Sequence, residues 1–297
     1  MTALPDAVRG RVEAELGGTI RRASAVGGGC IANATRIETA GGPLFLKWAE
    51  GEAGAHFSAE AAGLAALRQA RDRSGADLAV PAPLLTEDAS AGTLGLLLME
   101  WIEPGRPDRA AWERFGAALA ALHAAPAGDR YGFPRDNSIG ATPQANGWTD
   151  RWPDFFRARR LEPQIALAQA NGRWRASWDR PADRLLSRLD ELLPQCPPAA
   201  TLHGDLWSGN ALCAADGRFA LIDPATYVGH AETDLALTEL FGGYDAAFYR
   251  AYWGGDAPAG YAERRELYNL YHVLNHINLF GGSYAAGVTR TLGRFGG

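Results

Sequence analysis

Lysine is almost absent from this sequence of 297 residues, because only Lys47 among its 29 lysine and arginine side chains is a lysine. Arginine supplies the positive charge everywhere else. A compact ammonium differs from a planar guanidinium in hydration and hydrogen-bond geometry, so a lone lysine indicates a place where arginine would not serve. Chance survival of one lysine in an arginine-rich chain is the alternative interpretation.

Other absences exclude whole classes of protein. The three cysteines, Cys30, Cys196 and Cys213, show no CxxC spacing, so we expect neither a disulfide scaffold nor a zinc site, and a reducing cytoplasm is the predicted compartment. No apolar run approaches the ~18 residues of a membrane span, and the N-terminus lacks the pattern of a signal peptide. The net charge is −5 without a basic stripe, so neither nucleic acid nor a membrane is an expected partner.

Hydrophobic periodicity predicts an α+β protein with two lobes: a small β-rich lobe over residues 1–102 and a larger, mainly helical lobe over residues 103–297. For the first lobe we predict strands at 20–26, 33–39 and 44–48, one helix at 57–70, and a hairpin of 84–87 with 93–101. For the second lobe we predict helices at 107–124, 150–170, 181–193, 235–241 and 261–280, and a short hairpin of 211–213 with 219–222. A cleft between two lobes is a favoured place for a ligand.

The most informative segment is HGDLWSGN at residues 203–210, followed by a strand that ends at Asp223. Asn210 and Asp223 stand at the two open ends of the predicted hairpin, where antiparallel pairing brings them together. An amide oxygen and a carboxylate in one small volume suit Mg²⁺. Asp205 approaches the same volume and is placed to accept a proton from an attacking hydroxyl, so the segment predicts phosphoryl transfer. A solvated loop with acidic turn residues is the alternative.

This spacing resembles the protein-kinase-like fold, in the small-molecule branch that includes aminoglycoside phosphotransferases and choline kinases. The resemblance implies that Lys47, at the end of a strand, steadies the phosphates of ATP. Its implied ion-pair partner is Glu60, which opens the following helix, with Glu52 as the alternative. Pro224 after Asp223 favours a constitutively competent metabolite kinase over a signalling kinase, because proline restricts movement of the metal-binding loop.

Two further segments are candidate nucleotide contacts on the same resemblance. Gly27, Gly28 and Gly29 would form the loop over the phosphates, since glycines allow close backbone approach, although an ordinary hairpin turn fits them too. The strand that runs into the connector would meet adenine through backbone groups around Glu100 and Ile102, with Met99 bordering the pocket. An ordinary core strand is compatible with the same side chains.

Several stretches together strongly resemble the fructosamine kinase (ketosamine 3-kinase) family over nearly the whole chain. They are NSIGATPQAN at 137–146, WPDFF at 152–156, HGDLWSGN at 203–210, DPATYVGHAETDLA at 223–236, LFGGY at 240–244 and LNHINLFG at 274–281. The resemblance implies ATP- and Mg²⁺-dependent phosphorylation of the 3-hydroxyl of a ketose linked to an amine, as on glycated lysine, followed by loss of the unstable adduct. Ala231 departs from the family, which more usually has arginine there.

A sugar substrate needs amides and carboxylates for its hydroxyls and a flat ring as a floor. The candidates for contact with the sugar are Trp207, Gln144, Asn146, His276 and Asn278, each of which could instead serve packing.

Cys30 lies in the predicted phosphate loop, where a reactive thiol could link two copies through a disulfide, so the chain is expected to be a monomer or a redox-linked dimer. Two other functions compete with that of a ketosamine kinase: another small-molecule kinase of the aminoglycoside or choline kinase type, and a nucleotide-binding pseudokinase.

Overall fold

The computed structural model describes residues 4–27, 32–90 and 92–297. Its strands are β1 Arg22–Ala25, β2 Asn33–Thr39, β3 Gly42–Glu50, β4 Leu78–Ala79, β5 Pro83–Glu87, β6 Leu94–Glu100, β7 Asn137–Ile139, β8 Thr142–Gln144, β9 Ala199–Leu202, β10 Ala211–Cys213, β11 Phe219–Leu221 and β12 Tyr227–His230. Its helices are α1 Asp6–Leu16, α2 Phe57–Ser74, α3 Arg109–Ala124, α4 Trp152–Phe156, α5 Glu162–Ala170, α6 Asp179–Ser187, α7 Leu189–Leu192, α8 Glu232–Leu240, α9 Ala246–Trp253, α10 Tyr261–Phe280 and α11 Ala285–Phe295.

An antiparallel five-stranded sheet in the order β1-β2-β3-β6-β5 forms most of the N-terminal lobe, as its strand patterns predict. Alternation along β2 and β3 turns Ile37 and Leu46 to one face, where they pack with Val8 and Val12 of α1. Helix α1 was not predicted, because two valines four residues apart are its only buried side chains. The prediction of one helix in this lobe was therefore wrong.

Helix α2 covers the opposite face of the sheet and ends at Gly75, whose left-handed conformation caps it. Its buried Leu64 and Leu67 belong to a hydrophobic cluster that continues into the second lobe, through Phe115 of α3 and Phe219 of β11. Strand β4 also pairs in parallel with β11 and so joins the two lobes. The predicted boundary near residue 102 stays a prediction; it falls in the segment between β6 and α3.

Helix α10 runs through the core of the second lobe, with Tyr268 and Leu274 among its buried residues, and its predicted bounds are confirmed. The predicted helix over 150–170 forms as α4 and α5 joined by a π-helical turn at Arg157–Leu161. The short pairs β7-β8 and β9-β12 were not predicted, since strands of three or four residues show too little alternation. Within the described ranges, no helix combines the length and apolar character needed to cross a membrane.

Candidate active site

The β10-β11 hairpin brings the predicted metal-binding residues together. Ala211 pairs with Leu221, so the residues just outside the hairpin ends are neighbours. The Ile222 N–H donates to the Asn210 carbonyl oxygen at 3.1 Å, and Asn210 Nδ2 lies 3.5 Å from the Asp223 carbonyl oxygen. Asn210 and Asp223 are therefore neighbours at one edge of the cleft.

Asp205 reaches the same place through a direct contact with Asn210. The Asn210 amide nitrogen donates to the Asp205 carbonyl oxygen at 2.8 Å and to its carboxylate Oδ2 at 3.1 Å. These bonds orient the amide so that its oxygen, Oδ1, receives no hydrogen bond from the described part of the chain. An amide oxygen and two carboxylates thus lie together, which is a donor set that Mg²⁺ prefers.

Burial and charge make Asp205 a better proton acceptor than an exposed aspartate. Burial, together with the negative charge of Asp223, raises the pKa of Asp205 to about 7, although the hydrogen bond from Asn210 acts in the opposite direction. A carboxylate with a pKa near neutrality holds a transferred proton more readily than one with an ordinary pKa. The geometry therefore suits Asp205 to act on a hydroxyl that enters the cleft.

The loop before Asp205 is held by the buried Asp234. The backbone N–H groups of His203 and Gly204 donate to the Asp234 carboxylate at 2.7 and 2.8 Å, and His123 Nε2 lies 3.3 Å from it. Burial raises the pKa of Asp234, but the hydrogen bond and charge of His123 outweigh burial and lower it. Asp234 thus braces the loop as an anion, and the sequence did not reveal the supporting role of His123.

His203 positions the backbone on both sides of the site. Its Nε2 lies 2.9 Å from the Ile222 carbonyl oxygen, and the Asp205 N–H donates to its Nδ1 at 3.2 Å. The proton is therefore assigned to Nε2, and the ring is neutral because burial lowers its pKa. His203 ties the loop of Asp205 to the strand that leads into Asp223.

Lys47 connects the N-terminal lobe to this cluster. Its Nζ donates to Glu60 Oε1 at 2.7 Å and to Asp223 Oδ1 at 2.5 Å, and its side chain is only 12% exposed. Burial lowers the pKa of Lys47, but the charges of Glu60 and Asp223 outweigh burial and raise it. The structure places Glu60, not Glu52, beside the lysine.

Asp223 is the one non-glycine residue with positive φ in the described ranges, at 54°. The following segment is held by side chains of the second lobe: Asn137 Nδ2 donates to the Thr226 carbonyl oxygen at 2.9 Å, and Gln144 Nε2 donates to the Ala225 carbonyl oxygen at 3.1 Å. A strained backbone persists only where its surroundings over-determine it. These two amides provide such support, and that of Asn137 was missed from the sequence.

Gln144, Asn146 and Asn278 are buried, with exposed fractions of 2%, 0% and 7%. The Gln144 carbonyl accepts from a tyrosine, and the Asn146 carbonyl accepts from an arginine. Asn278 Nδ2 donates to Gln164. Gln144 and Asn146 are thus engaged with protein partners, whereas Asn278 Oδ1 is buried without a hydrogen-bond partner among the described residues, and contact of these three amides with a sugar stays a prediction.

Trp207 and His276 remain exposed enough to contact a substrate. Trp207 is 39% exposed on the loop that carries Asp205, and its ring lies against Gly209. His276 is half-buried beside Phe241, with ring centroids 4.8 Å apart. The Tyr244 hydroxyl donates to the Trp207 carbonyl oxygen at 3.2 Å and so holds the loop of Trp207. Their contact with substrate stays a prediction.

The structure describes some of the predicted nucleotide contacts and leaves others outside the described residues. Met99 is buried at the end of β6. The Glu100 N–H donates to the Ala82 carbonyl oxygen at 3.2 Å and its carboxylate accepts from the Ala82 N–H, so Glu100 is engaged with a neighbouring segment. Ile102 follows in the connector between the lobes. Gly27 lies in a bend, whereas Gly28, Gly29 and Cys30 fall outside the described residues.

The fold and site define a protein-kinase-like phosphotransferase architecture. The structure superposes on an aminoglycoside phosphotransferase, APH(4)-Ia, determined as a ternary complex with ADP and hygromycin B, with a TM-score of 0.64, 18% identity and coverage of 98% of this chain and 99% of that one. At this identity the likeness concerns the fold alone. The predicted two-lobed fold class is confirmed.

The chain also shows clear similarity to one family of kinases. The chain matches the family described as fructosamine kinase over residues 7–295. It is 43% identical over 267 residues to a probable ketoamine kinase of Synechocystis, covering 89% of this chain and 87% of that protein. A putative fructosamine-3-kinase of Thermobifida fusca has 31% identity and a TM-score of 0.85, with 99% of both chains covered. The chain belongs to the fructosamine kinase family, which confirms the resemblance seen in the sequence.

Proposed function

We propose that this chain is an ATP-dependent kinase that phosphorylates the 3-hydroxyl of ketosamines, the sugar adducts that form on amines and on protein lysines. The observation that carries the proposal is the convergence of Lys47, Asp223, Asn210 and Asp205 on one cleft, in a member of the fructosamine kinase family. A pseudokinase would not need all four groups in contact.

ATP binds between the lobes in this proposal. Lys47, held by Glu60, contacts its phosphates, while the connector around Ile102 meets adenine. Asn210 and Asp223 would hold Mg²⁺, and the orientation of the Asn210 amide supports this assignment because it leaves the oxygen available. When bound, Mg²⁺ neutralises charge on the phosphates.

Asp205 accepts the proton of the sugar hydroxyl as that oxygen attacks the γ-phosphorus of ATP. The raised pKa of Asp205 supports this role, since the group must take up a proton near neutral pH. The bond between the γ-phosphorus and the bridging oxygen breaks, and ADP leaves. Trp207 and His276 are the proposed contacts for the sugar. Loss of the phosphorylated sugar would then restore the free amine, which amounts to deglycation repair.

A substrate panel tests the proposed function. The wild-type chain is incubated with ATP and Mg²⁺, and ADP release is measured with one candidate substrate at a time. The candidates are the ribulosamine, erythrulosamine and fructosamine derivatives of lysine, an aminoglycoside, and choline. We expect ADP release with at least one ketosamine and none above background with the aminoglycoside or choline. Turnover of only the latter compounds would assign the chain to another branch of small-molecule kinases.

A further inference from the structure

Helix α2, which carries Glu60, lies so close to the segment after Asp223 that a side chain at Gly63 would be crowded at their contact. A methyl group added at Gly63 would lie 3.0 Å from Thr226 Oγ1 and 3.3 Å from Pro224 Cγ. Gly63 follows Glu60 by three residues, so both belong to neighbouring positions on one side of the helix. This contact therefore sets how far Glu60 stands from the cleft.

The segment Pro224–Thr226 is also packed on the side that faces away from α2, so it has no room to move away from the helix. The Ala225 N–H donates to the His203 carbonyl oxygen at 2.9 Å. A Cβ atom at Gly204 would lie 2.1 Å from the Ala225 carbonyl oxygen, which leaves no space on that side. With the amides of Asn137 and Gln144 already bound to this backbone, the segment is fixed between the two lobes.

The contact between Gly63 and Thr226 is steric and involves no hydrogen bond. Thr226 Oγ1 is buried without a hydrogen-bond partner among the described residues, so the hydroxyl contributes volume at this place and no bond. Gly63 is buried inside the helix, where glycine costs roughly 1 kcal/mol relative to alanine. The missing side chain permits the close approach at a cost in helix propensity.

We infer that Gly63 is a positioning residue: it lets α2 pack on Pro224–Thr226 and so keeps Lys47, Glu60 and Asp223 assembled in the resting protein. The inference rests on the proposed kinase function. A methyl group at position 63 requires α2 and Pro224–Thr226 to give by a few tenths of an ångström, which shifts Glu60 relative to Lys47 and Asp223. The rate of phosphoryl transfer then falls, because misplacement of about 1 Å in a catalytic assembly costs on the order of 100-fold.

A size-exchange experiment tests this role. Gly63→Ala, Thr226→Ala and the double variant are compared in kcat and in KM for ATP. We expect Gly63→Ala to lower kcat about 5-fold, and the double variant to return to within about 2-fold of Thr226→Ala alone, since neighbouring changes of shape couple. An unchanged kcat in Gly63→Ala, or a loss that Thr226→Ala does not relieve, would overturn the inference.

A second measurement needs no turnover. Gly63→Val is compared with Gly10→Val, a matched control in α1 where an added Cβ meets nothing within 4 Å. We expect faster amide hydrogen exchange in residues 57–74 and 223–226 of unliganded Gly63→Val and unchanged exchange there in the control. Equal exchange in both variants contradicts the inference even if the wild-type chain is a kinase. Faster exchange in Gly63→Val, together with a wild-type chain that phosphorylates no ketosamine, would refute the proposed function and leave the packing role standing.

Discussion

Lys47 Nζ donates to Asp223 Oδ1 at 2.5 Å across the interface between the lobes, and its 12% exposed side chain also contacts Glu60. The sole lysine of the chain is thus enclosed by two carboxylates. A guanidinium is wider and planar, and it cannot place one compact charge between both acids. This geometry accounts for lysine at a single position in a chain that otherwise uses arginine.

Replacement of this lysine by arginine should impair the site although the charge is kept. We expect Lys47→Arg to lower kcat/KM for ATP by about 100-fold, or ~2.7 kcal/mol of transition-state stabilisation, because the wider head group displaces Glu60 or Asp223. Steady-state kinetics with varied ATP measures the effect. The reverse exchange at an exposed position, Arg130→Lys, is the control and should change nothing. Wild-type kinetics in Lys47→Arg would contradict the account of the lone lysine.

Arg264 supports the helix that carries Asp234. Its Nε and one terminal nitrogen donate to the two oxygens of the buried Glu232 carboxylate, both at 2.7 Å. Removing one partner of such a pair leaves a buried charge, so Arg264→Ala should lower the free energy of unfolding by about 3 kcal/mol. Urea denaturation measures this loss. Arg290→Ala, at a 70% exposed side chain, should cost less than about 0.5 kcal/mol. Equal losses of unfolding free energy in the two variants would show that the buried Arg264–Glu232 pair stabilises the fold no more than an exposed ion pair does.

Buried histidines should make the fold sensitive to mild acid. Burial lowers the pKa of His272 to about 3 and that of His230 to about 4, whereas an unfolded histidine has a pKa of 6.5. At a pH between its folded-state and unfolded-state pKa values, each ring is neutral in the folded protein and charged in the unfolded chain. The stability that each contributes is complete above pH 6.5 and is lost as the pH falls, at up to about 1.4 kcal/mol per pH unit and group.

Unfolding free energies between pH 7.5 and 5 measure this dependence. We expect a continuous decline in wild type and a shallower slope in His272→Gln, in which one titrating ring is missing. His56→Gln, at an exposed histidine, is the matched control and should keep the wild-type slope. Stability that stays flat down to pH 5 would show that these rings do not titrate as their burial requires.

Much of this arrangement could be predicted because it depends on local patterns. The hairpin that joins Asn210 to Asp223 follows from two short apolar strands around a glycine turn, and the structure has both strands. Periods of three and four residues likewise predicted α3 and α10.

Other features depend on partners distant in sequence. No local pattern shows that Gln144 and Asn146 are buried among other side chains, or that Gly63 contacts the segment after Asp223. Arg264 is a further example. Glu232 is paired with this arginine from α10, which sequence spacing does not bring to it. The missed features are therefore tertiary contacts rather than misread motifs.

The most direct test of the account is product analysis with wild type and Asp205→Asn, using ATP, Mg²⁺ and the best ketosamine of the panel. ³¹P and ¹³C NMR identify the phosphorylated position, and ADP release gives the rate. We predict a phosphate ester on the C3 oxygen from wild type, and a rate lower by about 1,000-fold in Asp205→Asn, whose amide cannot accept the proton. A wild-type rate in Asp205→Asn, or phosphate on another oxygen, would contradict it.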